Sequence, residues 1–133
     1  MLADPPSAAR APDQKLILIV DDEFDLVSTY ELLFQLHGFA VQTATNGREA
    51  LERARAAPPD IVLSDYMMPV MDGIQLLLAW RADPALRHIP YILNSAGKVL
   101  TDMNLPFDAF FTKPTIFPVL LAAIQRLTTA QEK

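Results

Sequence analysis

The run Leu16-Ile17-Leu18-Ile19-Val20 limits the fold of this chain more than any other feature. Five consecutive β-favouring aliphatic residues with no polar alternation describe a strand buried on both faces, and such strands belong to parallel sheets covered by helices on either side. Ile61-Val62-Leu63 repeats the pattern and ends at Ser64-Asp65, and residues 39–43, 90–94 and 107–112 read as three more strands. Helical signals lie between them. Leu26, Val27, Tyr30, Leu33 and Phe34 share one face at helical period, and Gly38 is a natural stop after them. Asn46 and Glu49 have the spacing of a capping-box start for a helix that ends before Pro58-Pro59. Pro69 and Gly73 flank a turn into a third helix carrying Ile74, Leu77 and Leu78, with Leu76 and Trp80 as a second apolar pair read as extra core packing. A last helix over residues 115–127 is expected to bury Val119, Leu120, Ala123, Ile124 and Leu127, with Pro118 in its first turn. Strands alternating with helices predict an α/β domain built as a doubly wound five-stranded parallel sheet.

A chain of 133 residues accommodates one such domain, expected over residues 15–129. Residues 1–14 contain Pro5, Pro6 and Pro12 among small and polar residues and read as a flexible leader, and 130–133 as a C-terminal tail. The formal charge of −5 gives no basic excess, which argues against direct nucleic-acid binding. With no cysteine, disulfides, thiolate metal sites and cysteine nucleophiles are excluded. No apolar stretch approaches the ~20 residues that span a bilayer, so no membrane partner and a cytoplasmic location are expected.

In an open parallel sheet, ligands collect beyond the carboxyl ends of the strands. Asp21 and Asp22 follow the first strand, Asp65 the third, Ser95 the fourth and Lys113 the fifth. Three carboxylates brought close together repel one another unless a cation intervenes. Oxygen ligands without cysteine or a nearby histidine favour Mg²⁺. Asp65 is then free to act as a nucleophile towards phosphorus, Lys113 supplies a counter-charge, and Ser95 donates a hydrogen bond to a phosphoryl oxygen. Asp72 is read as the cap of the third helix, and His37 and His88 as structural or solvated.

The segments Val20-Asp21-Asp22-Glu23, Ser64-Asp65-Tyr66-Met67-Met68-Pro69-Val70-Met71-Asp72-Gly73, Asn94-Ser95-Ala96 and Phe110-Phe111-Thr112-Lys113-Pro114 resemble, in order, the four signature stretches of the response-regulator receiver family. The resemblance implies a flavodoxin-like, CheY-like three-layer sandwich with strand order 2-1-3-4-5. It implies Asp65 as phosphoacceptor, Asp22, Asp65 and the Met67 backbone carbonyl as Mg²⁺ ligands, and Asp21 acting through water. It further implies Lys113 pairing with the phosphoryl group, Ser95 and Phe110 as switch residues, and a Lys113-Pro114 peptide that is commonly cis in similar domains. The phosphoryl donor would be a histidine kinase or histidine phosphotransfer protein, and the output a switched surface for a downstream protein, in a signalling module rather than an enzyme.

Only eighteen positions separate Ser95 from Lys113, about one helical turn fewer than similar domains carry, and Gly97 and Pro106 bracket a segment poor in helix signal. A short, irregular or missing fourth helix is expected there, which leaves room for an unusual dimer or a different partner face. Neither Met67 nor Gly97 offers a side-chain base to orient water, so slow loss of the phosphoryl group is expected. The competing reading is a degenerate receiver serving as a phosphorylation-independent scaffold. An aspartyl phosphohydrolase is disfavoured by Met67, which stands where such enzymes usually place a second acid.

Overall fold

The computed structural model describes residues 11–96 and 104–131. The elements run β1 (Leu16–Val20), α1 (Phe24–Leu36), β2 (Ala40–Ala44), α2 (Gly47–Ala56), β3 (Ile61–Ser64), α3 (Gly73–Ala82), β4 (Tyr91–Ser95), β5 (Ala109–Thr112) and α4 (Phe117–Gln131). All pairings are parallel, as the strand patterns predict, and the sheet order is β2-β1-β3-β4-β5, as the resemblance implies. Every residue of β1, β3 and β4 is buried, as their apolar runs require, and the polar Ser64, Asn94 and Ser95 at the carboxyl ends of β3 and β4 are buried with them. The sheet divides the core in two. Leu18, Val20, Val62, Tyr91 and Leu93 face α2 and α3 around Trp80, whereas Ile17, Ile19, Ile61, Leu63 and Ile92 face α1 and α4 around Phe34. Each of these large side chains, taken fully out of water, contributes about 2 kcal/mol before ordering entropy is subtracted.

Local signals set the helix ends. Past the C-cap His37, Gly38 takes φ +93. Its N–H donates to Gln35 O and that of Phe39 to Phe34 O, the paired closure of a Schellman turn. Asn46 caps α2 by accepting from the Glu49 N–H. The Glu49 carboxylate turns instead to the N–H and hydroxyl of Thr45, at 2.7 and 2.9 Å. Asp72 and Gln75 complete a reciprocal capping box on α3, and Pro118 falls in the first turn of α4.

Two expected core faces are shifted. On α3 the buried set is Gly73, Leu76, Leu77 and Trp80, while Leu78 is 52% exposed. Leu76 and Trp80 are thus the main face and Leu78 points outward, because almost every residue of this helix is apolar and the pattern alone leaves its phase open. On α4, Val119 is exposed and Thr128 is buried, its hydroxyl satisfied by Ile124 O at 2.8 Å.

Residues 11–14 form a turn with Gln14 bonded to Gly38 O, and α4 continues to Gln131. The short or irregular helix expected after β4, with Gly97, falls largely on residues 97–103, outside the described residues. The described residues on either side of that gap, before β5 begins, are not helical. The chain enters β5 through Asp108, which accepts from Arg81 Nη2 at 2.6 Å and from the Tyr91 N–H at 2.8 Å.

Candidate functional site

Parallel register brings the carboxyl ends of four strands to one edge. Val20 pairs with Ser64, Ser64 with Leu93, and Ser95 with Thr112, so the residue following each strand enters a common space. Asp21 follows β1 and is buried, its own N–H bonded to Ala44 O. One of its carboxylate oxygens accepts from the Glu23 N–H at 3.0 Å and the other from Lys113 Nζ at 2.8 Å. Asp65 follows β3 with its N–H on Val20 O, and Oδ1 accepts from the Tyr66 N–H at 2.8 Å. Lys113 Nζ lies 3.5 Å from that same oxygen and 3.5 Å from Glu23 Oε1. Asp22 is exposed, and one carboxylate oxygen from each of Asp21, Asp22 and Asp65 falls within 4.8 Å of the others.

The electrostatics follow from this crowding. Burial, then the neighbouring Asp21 carboxylate, pushes the Asp65 carboxyl above its ordinary range, against the pull of Lys113 and the Tyr66 N–H. Burial acts in the opposite sense on Lys113, but its bond to Asp21 and the charges of Asp21, Asp65 and Glu23 outweigh it and hold the ammonium above its usual value. One ammonium facing three carboxylates leaves the cluster negative, with hard oxygen donors and no histidine among them. Such a donor set fits a divalent cation of the Mg²⁺ type.

The other expected residues surround this centre. Ser95 ends β4 fully buried, and its carbonyl accepts from the Lys113 N–H at 2.8 Å. Phe110 pairs with Leu93 on β5 and is half-buried outside the acid cluster, its ring 5.6 Å from that of Phe107. Met67 lies in the exposed loop after Asp65. In that loop Val70 takes φ +70 between Pro69 O and the Met71 N–H, which bond at 2.7 Å. This is a γ-turn of the strained hand. The Lys113-Pro114 peptide is cis. His37 is bonded through Nδ1 to Leu33 O and packs on Phe117, away from the acids; His88 is exposed on the α3–β4 connection.

Sequence reasoning missed Glu23 as a third acid beside Lys113, although it directly follows Asp22. It also missed a polar set on the α1 face, where the side chains of Tyr30 and Thr115 both bond Asn94. Only the alternation of β4, which sends Asn94 and Ser95 to opposite faces, could have suggested it.

Residues 17–125 match the family model described as the response regulator receiver domain. The chain is 33% identical over 115 residues to the transcriptional regulatory protein PrrA of Mycobacterium leprae, covering 84% of this chain and 48% of that protein. It is 36% identical over 116 residues to the response regulator PleD of Caulobacter vibrioides, covering 84% of this chain and 26% of that one. The chain therefore spans about half the length, or less, of these relatives. Among solved structures, the signal receiver domain of a signal transduction histidine kinase from Syntrophus aciditrophicus superimposes with a TM-score of 0.82 at 32% identity, over 87% of this chain and 91% of that one.

Proposed function

Because the chain belongs to the response regulator receiver family, we propose that it accepts a phosphoryl group on Asp65 and uses it to switch a protein-binding surface. The observation that carries this reading is the Asp21, Asp22 and Asp65 cluster with Lys113 reaching into it, 2.8 Å from Asp21 and 3.5 Å from Asp65. Asp22, Asp65 and the Met67 backbone carbonyl would hold Mg²⁺, with Asp21 linked through water. The bound ion supplies positive charge to the oxygens of the transferring group.

Asp65 attacks the phosphorus of a phosphohistidine with a carboxylate oxygen. A bond from oxygen to phosphorus forms, the phosphorus–nitrogen bond breaks, and the imidazole leaves with the electron pair. Lys113 moves from its carboxylate partners to the new phosphoryl oxygens. Ser95 donates its hydroxyl to another of those oxygens, and Phe110 follows it inward on the same face of the sheet. The donor is a histidine kinase or histidine phosphotransfer protein, and the readout is a downstream protein. Such a module works in the cytoplasm and catalyses only its own phosphorylation and dephosphorylation. Among the described residues no helix is long and apolar enough to cross a membrane.

Intact mass after incubation with acetyl phosphate and Mg²⁺ tests the reading. One added phosphoryl group is expected in the wild type, none without Mg²⁺ and none in Asp65→Asn. A folded wild type that gains no mass from several donors would favour the phosphorylation-independent scaffold.

A further inference from the structure

Beneath Asp65 the α2–α3 face of the sheet, otherwise largely aliphatic, becomes polar. Tyr91, the first residue of β4, is fully buried, and its ring stands edge-on to Trp80 with centroids 6.0 Å apart. Its hydroxyl reaches the start of α3 and donates to the Gly73 carbonyl at 2.6 Å. Ser64, also fully buried and beside the same hydroxyl, donates its own proton to the Asp65 carbonyl at 2.8 Å. Burial holds the phenol far above its usual pKa, so it remains a donor.

Gly73 touches the same backbone from above. Its N–H donates to Tyr66 O at 2.8 Å. A Cβ at this position would collide with the Asp65 carbonyl oxygen and stand 2.9 Å from Tyr66 Cα. The main chain of Asp65 is therefore gripped between Gly73 and Ser64, and one phenol contacts both. A phenylalanine would fill the same volume and keep the Trp80 contact, so packing does not account for the hydroxyl. An unbonded buried hydroxyl is costly, and this one is spent on the two residues that seat Asp65.

We propose that Tyr91 is a positioning residue for the phosphoacceptor: its hydroxyl holds the Gly73 carbonyl beside Ser64, so that Gly73 and Ser64 together clamp the Asp65 main chain and fix where the Asp65 carboxylate enters the site. The inference rests on the reading of Asp65 as phosphoacceptor. Its test compares the wild type, Tyr91→Phe, Ser64→Ala and the double variant, at a temperature where circular dichroism shows all four folded. Phosphorylation by acetyl phosphate is followed at saturating Mg²⁺ across donor concentrations. Each single variant is expected to lower the maximal rate constant about tenfold, with the half-saturating donor concentration changed by less than about twofold. The double variant is expected to be no slower than the slower single one, since both hydroxyls hold the same stretch of main chain at Asp65. A lowered melting temperature with an unchanged rate constant would reduce the phenol to core structure and overturn the proposal, as would fully additive effects. If the wild type accepts no phosphoryl group, the functional reading fails by itself. The positioning role is then judged by amide hydrogen exchange at Asp65 and Gly73: about tenfold faster exchange in Tyr91→Phe supports it, and unchanged exchange overturns it.

Discussion

β3 and β5 deliver the oppositely charged partners of the site from contrasting surroundings. β3 is central, bonded to β1 and β4, and every residue in it is buried. Among the described residues β5 is an edge strand bonded only to β4, none of its residues is fully buried, and Thr112 is exposed. The main chain at Asp65 is held from three directions, by Val20, Ser64 and Gly73. Lys113 is held by one backbone bond to Ser95 and by the grip of its ammonium on Asp21. β5 is tied at its entry through Asp108 to Arg81 and just past its exit through Thr115 to Asn94. The comparison teaches a division of labour. On the proposed reading, the group that must sit in one place is set by interior packing, and the group that must change partners is carried by an edge strand with a single ladder, where displacement disturbs fewer contacts.

Substitutions on the two strands give the sharpest contrast. Gly73→Ala forces a methyl group into the Asp65 backbone and is expected to cost about 3 kcal/mol. Phe110→Ala, half-buried on β5, should cost about 1 kcal/mol. Urea midpoints measure both, and equal losses would break the comparison. A smaller effect of opposite sign is expected at Asp65 itself. Burial and Asp21 both disfavour its charge, so with chelator present Asp65→Asn should be more stable than the wild type by about 1 kcal/mol. Added Mg²⁺ should then raise the melting temperature of the wild type more than that of the variant. A less stable variant would mean that attraction to Lys113 outweighs the crowding.

The smallest effect probes the opposite edge, where Glu49 ties α2 to the end of β2. Burial raises its carboxyl pKa, but the Thr45 N–H, Arg53 and the Thr45 hydroxyl outweigh it and hold it below its ordinary value. A carboxyl lowered on folding stabilises the fold above its unfolded pKa, and that contribution is lost as pH falls through the folded value. Glu49→Gln should therefore cost about 0.5 kcal/mol at neutral pH, with the difference from the wild type vanishing in acid. A pH-independent difference would assign the effect to hydrogen bonding alone.

Much of this was legible in the sequence because it depends on rules of position. Unbroken apolar runs gave the buried strands, and their parallel order sent Asp21, Asp22, Asp65 and Lys113 to one edge without knowledge of any contact. What stayed hidden depends on phase and reach. α3 carries Ile74, Leu76, Leu77, Leu78, Ala79 and Trp80 almost in succession, and no polar stripe fixes which of them turn inward. Tyr91 reads as one more β-favouring residue, and nothing local shows that its hydroxyl crosses to Gly73, 18 residues earlier. The seven residues 97–103, where the output surface is expected to differ from similar domains, lie outside the described residues.

The bond from Lys113 to Asp21 joins residues 92 positions apart. During synthesis the three acids leave the ribosome well before the lysine, and β5 must then dock before any ammonium reaches them. On the proposed reading, a chain extended only as far as β4 carries the acids without their counter-charge, so its acid edge repels an anionic phosphoryl donor until β5 has docked.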